Sequence, residues 1–179
     1  MTPDGNRLLV GAPGTEGASA GTIYYYERSG SSWNVIYTIP GIADSAENFG
    51  TTVSIISKND GNVIAVGAPN YGGGRGVIRV YRALAGTFWN QEGSDIVGEP
   101  GDRLGTTLAA GPNNRIVAGT ASSSTGSFRV YEFDVLQNDW VRVGSGQPTL
   151  GSSVTSIASS ESGDVALGTS DGQVVVYGL

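Results

Sequence analysis

The side chains best suited to recognition chemistry lie in two short stretches. Asn70-Tyr71-Gly72-Gly73-Gly74-Arg75 sets an amide, an aromatic ring and a guanidinium around a flexible glycine run. Tyr and Arg are among the residues most enriched at the energetic centres of interfaces. Asp102-Arg103 adds a carboxylate and a second guanidinium. Together, Asn70, Tyr71, Arg75, Asp102 and Arg103 form the candidate ligand-binding set. Acids recur in places like that of Asp102: Asp44, Glu47, Glu99 and Asp102 each fall just before a point where a sequence pattern restarts. Such acids can line a rim and attract a cation or a basic partner. The structural alternative is that they cap turns by accepting backbone N–H bonds, while the glycines only turn the chain and Arg75 is solvated. A surface pairing of Asp102 or Arg103 with neighbouring charges would contribute little.

Absent residue types exclude more chemistry than the present ones allow. The 179 residues include no histidine, which removes the commonest general base, zinc ligand and serine-activating partner. They include no cysteine either, so disulfides and thiolate chemistry are ruled out. Ten basic against sixteen acidic residues give a net charge of −6, which argues against nucleic acid and anionic lipid as partners. No apolar run approaches the length of a membrane span. The glycines at 72–76 lack the Gly-Lys-Ser/Thr ending of a phosphate loop. No catalytic set, metal centre or cofactor is expected.

The elements that must position these residues are announced by a phrase that occurs four times. It reads Gly21-Thr22-Ile23-Tyr24-Tyr25-Tyr26, Gly76-Val77-Ile78-Arg79-Val80-Tyr81, Gly126-Ser127-Phe128-Arg129-Val130-Tyr131 and Gly172-Gln173-Val174-Val175-Val176-Tyr177. Tyr26, Tyr81, Tyr131 and Tyr177 follow one another at steps of 55, 50 and 46 residues. Glycine accounts for 29 of the 179 residues, and the runs between glycines are rich in Val, Ile and Tyr. That mixture favours short strands joined by tight turns. Repeats of this length point to an all-β chain of propeller blades, each a four-stranded antiparallel sheet.

The second unit serves as the ruler. Thr51 to Ser57 reads as a first strand, Asn59-Asp60-Gly61-Asn62 as a hairpin turn, and Val63 to Pro69 as a strand packed on both faces. The glycine loop follows, then a third strand from Val77 to Arg82 and a fourth from Thr87 to Glu92 that carries Trp89, with Asp95 to Asp102 as a returning loop. Trp33 and Trp140 occupy the register of Trp89, so all three tryptophans are expected to pack between units. The repeats run at about 1–49, 50–104, 105–150 and 151–179, within a single domain. Strand counts of 3, 4, 4 and 3 leave open edges that invite pairing with another chain. A part of a larger propeller, a thin four-bladed ring and an assembly of chains are all compatible with that count, and the first fits best.

Phe49-Gly50 followed by Val66-Gly67-Ala68-Pro69 resembles the FG-GAP repeat, the blade of integrin alpha-subunit propellers and many microbial surface proteins. Leu8 to Pro13 carries the same GAP element. The match thins to Leu104-Gly105 with Ala118-Gly119-Thr120, and then to Leu150-Gly151 with Leu167-Gly168-Thr169. The resemblance implies a ring of seven blades, of which this chain would supply about half. It implies a ligand face made by loops 14–21, 70–75 and 121–125 and by the inter-blade segments 44–48 and 99–103. It also implies an extracellular or cell-surface location. Some family blades hold calcium in the first turn, but the turns here lack the alternating acids: Ile56, Lys58 and Ile64 flank Asp60, and Leu8 follows Asp4 and Asn6. The expected function is a non-catalytic binding or adhesion module for a protein or glycan. The alternative is a propeller glycoside hydrolase or lectin-like sugar binder that uses loop carboxylates and aromatics.

Overall fold

The computed structural model describes all residues except 15–19, 44–45, 59–60, 85–87, 123–125, 145–149, 161 and 179. Asn59 and Asp60 of the expected hairpin turn and the acid Asp44 therefore lie outside the described residues, as do parts of the loops at 14–21 and 121–125. Gly61 and Asn62, also expected in that turn, open a strand.

Strands form where β-branched and aromatic residues run between glycine turns, and they group into four antiparallel sheets in chain order. The first sheet holds β1 (Arg7–Ala12), β2 (Thr22–Ser29) and β3 (Ser32–Pro40). The second holds β4 (Thr52–Lys58), β5 (Gly61–Ala68), β6 (Val77–Leu84), β7 (Phe88–Gln91) and the two-residue β8 (Ile96–Val97). The third holds β9 (Thr107–Ala110), β10 (Ile116–Gly119), β11 (Phe128–Asp134) and β12 (Asp139–Val143). The fourth holds β13 (Val154–Ser159), β14 (Asp164–Thr169) and β15 (Val174–Gly178). Among the described residues no sheet closes on itself, and no helix is long and apolar enough to cross a membrane.

One departure from the sequence expectation is β8, which falls in the stretch read as a returning loop. Ile96 and Val97 pair with Ile78 and Val77, so the fourth strand of this sheet is broken in two. In the first sheet the corresponding strand is unbroken: Ile39 and Pro40 of β3 pair with Ile23 and Thr22, and a register shift beside Tyr25 and Tyr26 absorbs the irregularity. The break in the second sheet falls at Gly93, whose φ is +77°, beside Asp95, whose carboxylate accepts from Gln91 Nε2 at 2.8 Å. The turn and its side-chain bonds occupy the residues that would have continued the strand.

Successive sheets meet face to face, with β1 touching β4, β4 touching β9 and β9 touching β13. Three apolar cores result. Leu9, Ile23 and Tyr25 pack against Ile64, Val66, Val77 and Trp89. Val63, Ala65, Ile78 and Val80 pack against Ile116, Ala118, Tyr131 and Trp140. Val117, Phe128 and Val130 pack against Val154, Val165 and Leu167. The strands β5 and β10 alternate between two of these cores, which is why their sequences are continuously apolar. Trp89 and Trp140 sit as expected. Trp33 does not: it is 37% exposed and belongs to none of the three cores. It lies opposite Arg28 as Trp89 lies opposite Ala83, so it shares the register but points to the face of the first sheet that no sheet covers.

The repeated glycines are explained by backbone contact between units. A Cβ on Gly67, at the end of β5, would stand 2.1 Å from the carbonyl oxygen of Gly105, where the next unit restarts. Gly11 meets Gly50 at the same 2.1 Å. The opening glycine of the tyrosine phrase is held likewise, since a Cβ on Gly76 would lie 2.2 Å from Leu104 N. No real Cβ approaches backbone that closely, so each unit needs glycine where the next one crosses it.

Candidate binding surface

At one end of the second and third sheets, the segment between β5 and β6 meets the segment between β8 and β9. Asn70 enters a helical turn at Tyr71–Gly74, in which Gly72 and Gly73 take left-handed φ values of +59° and +70°. The turn folds the loop back onto the linker. Arg103 N donates to Gly74 O and Leu104 N to Arg75 O, each at 3.0 Å, and Gly76 bridges Leu104 in parallel sense. Arg75 Nε donates to Gly98 O at 2.9 Å, and Arg103 Nη2 donates to Asn70 Oδ1 at 2.7 Å. All five residues singled out in the sequence thus come together, although up to 33 positions separate them.

Within the group the roles divide. Arg75 and Arg103 are exposed, whereas Asn70, Tyr71 and Asp102 are half-buried. Arg103 has φ +50°, a left-handed conformation uncommon for a residue with a long side chain. Asn48 has φ +57° at the matching place one unit earlier, and in both turns the following threonine donates N and Oγ1 to that residue's carbonyl oxygen. Tyr71 packs with the first core, 5.6 Å from the guanidinium carbon of Arg79. Asp102 Oδ2 accepts from Glu99 N at 2.7 Å, the turn-capping role anticipated for these acids, and also pairs with Arg129.

That last pair belongs to a recurring lock that was missed in the sequence. Arg79 donates Nη1 to Glu47 Oε1 at 2.9 Å and Nη2 to Glu47 Oε2 at 3.1 Å. The side chains are 4% and 1% exposed, and Arg79 Nε reaches Asp95 at 3.1 Å. Burial pulls the Arg79 pKa down, but the hydrogen bond and charge of Glu47, with help from Asp95, outweigh it and hold the guanidinium above its usual value. Glu47 and Asp102 each stand three residues before a restart glycine, and Arg79 and Arg129 each stand in the middle of the tyrosine phrase. In the fourth unit Pro148 occupies the acid's place and Val175 the arginine's. The signal was the joint presence and joint loss of acid and arginine.

Carboxylates near this end are mostly committed to cations. Glu47, Asp95 and Asp102 hold Arg79 and Arg129, while Glu92 holds Arg82. Asp4, at the first turn considered for calcium, accepts from Thr2 Oγ1 at 2.6 Å and Asn6 N at 3.1 Å. Among the described residues no group of three or more acids clusters in a way that could hold a metal ion.

Burial pushes the Tyr81 phenol up to about 12, against a smaller downward pull from Arg79. Burial also raises Tyr131 and Tyr25. An unfolded tyrosine titrates near pH 10. The folded protein therefore holds these protons to higher pH than the unfolded chain does. The stability that Tyr81 contributes is complete below about pH 10 and is lost as pH rises toward 12, and Tyr131 and Tyr25 act in the same direction. Denaturant midpoints should fall across that range, and Tyr81→Phe should make the fall shallower. An identical slope in the variant would refute the assignment.

No family model matches the chain, and no curated protein matches it.

Proposed function

We propose that the chain is a non-catalytic binding module, an FG-GAP-type β-propeller unit set that presents Arg75 and Arg103, on the segments that carry Asn70, Tyr71 and Asp102, to an acidic group on a protein or glycan partner. One observation carries this: two exposed arginines lie on two segments, the loop at 70–75 and the linker at 98–104, that are bonded to each other through backbone and side chain at one end of the sheets. Each guanidinium is anchored through one N–H group among the described residues and keeps others for a ligand, since arginine has five donors. Planar forks of this kind suit carboxylate or sulfate groups. Four antiparallel sheets in chain order, each stacked on the next, support the propeller reading. The engagement of Glu47, Asp95 and Asp102 with arginines disfavours a glycosidase, which needs two carboxylates free to exchange protons with substrate. An extracellular or cell-surface setting goes with the family resemblance.

The test is an array of acidic and neutral glycans together with matrix proteins, probed with the chain and with the double variant Arg75→Ala/Arg103→Ala. Acidic ligands should be retained by the native chain and lose at least tenfold in affinity with the variant, as hot-spot arginines do. Thermal stability should move by less than about 1 kcal/mol, because both side chains are exposed. Equal binding by the two proteins would sink the proposal.

A further inference from the structure

Every interior sheet has both faces covered, but the first and last sheets each have one bare face. On the first sheet, register places Val10 opposite Tyr24 and Tyr26 opposite Val35, all on the side away from the Leu9, Ile23 and Tyr25 core. Trp33 is on that side too. On the last sheet, Ala166 pairs with Ala158 and Val176, away from the Val165 and Leu167 core, and Val174 lies on the same side. Val174 and Val176 are 76% and 63% exposed.

The two bare faces are unlike each other, and each matches one half of an interface that is complete inside the chain. Trp33 and Val10 hold the positions of Trp89 and Val66 on the second sheet, while Val174 and Val176 hold those of Ile23 and Tyr25 on the first. Those interior counterparts share one core, and the rings of Tyr25 and Trp89 meet edge-on with centroids 4.9 Å apart. Isolated apolar residues on a surface need no explanation, but two contiguous strand faces with a matching interior interface do. We propose that the Trp33 face of one chain docks on the Val174–Val176 face of a second copy, continuing the stack of sheets head to tail. Such a heterologous contact either closes into a ring or extends. It is independent of the arginine site, which lies at the ends of strands and not on a sheet face.

Light scattering on a size-exclusion column gives the first reading. The native chain should show a mass of two or more copies that dissociates on dilution, and Val176→Asp, at a site exposed in the single chain, should reduce it to one. Geometry is read by disulfide trapping, clean here because the native sequence has no cysteine. Oxidising a mixture of Val10→Cys and Val176→Cys chains should yield mainly the mixed dimer, with little product from either alone. Single-chain mass at every concentration would overturn the proposal and assign the faces to a different segment or protein. Trapping of like with like in preference to the mixed dimer would overturn it equally.

Discussion

Arg79→Met is expected to destabilise the protein by about 3–5 kcal/mol, the cost of stripping one partner from a buried ion pair. The substitution leaves the Glu47 carboxylate 1% exposed, with the Ile42 N–H at 3.2 Å as its remaining donor among the described residues. It also frees Asp95 from its cation and takes the guanidinium from between Phe49 and Tyr71, whose ring centroids lie 5.8 and 5.6 Å from its central carbon. Chemical denaturation followed by tryptophan fluorescence would measure the loss. The double variant Glu47→Leu/Arg79→Met separates charge from packing. Replacing both partners by apolar groups should recover most of the deficit, since isosteric apolar replacements of buried pairs are often neutral or better. A double variant no more stable than Arg79→Met alone would show that the guanidinium's packing, not the orphaned carboxylate, dominates.

Gly67→Ala should be as damaging through a different cause. The new methyl would lie 2.1 Å from Gly105 O and 2.3 Å from Thr52 Oγ1, so backbone of the second and third sheets must separate. Overpacking of well-filled sites costs about 1–3 kcal/mol, and more where, as here, the obstacle is main chain. The displacement would also strain the bond from Thr52 Oγ1 to Gly105 O, 2.6 Å long, that ties those sheets together. Gly30→Ala is the control. That residue, unlike Gly67, has positive φ, +61°, but an added Cβ there meets nothing within 4 Å, and its cost should be the roughly 1–2 kcal/mol of a left-handed alanine. Similar losses in the two variants would contradict the crossing-point explanation.

The fold was legible because its main device, the repeat, is written in residue types. The tyrosine phrase and the doubly apolar run from Val63 to Ala68 located strands to within a residue or two. The resemblance to the FG-GAP repeat put the loop at 70–75 and the segment at 99–103 on one face, and Asn70 and Arg103 do meet. Three things escaped. The split between β7 and β8 escaped because Gly93 and Asp95 signal a turn correctly, whereas Ile96 and Val97, which resume the pairing beyond it, are too short a run to carry a strand pattern. The exposure of Trp33 depends on which sheet lies next door, and register alone does not encode that. The Glu47–Arg79 lock joins residues 32 apart, and only a comparison of units, acid against arginine, would have exposed it.

The three separate cores have a further consequence, which concerns how such a chain changes over generations. Each core joins only consecutive sheets, and each acid–arginine lock is confined to one linker and the sheet it introduces. Duplicating or deleting one unit would remake a single junction and leave the others untouched, as in repeat proteins whose energetics are sums over nearest neighbours. Divergence is likewise quarantined. The fourth unit, with Val175 and Pro148 in place of arginine and acid, does without the lock while those at Arg79 and Arg129 stand complete.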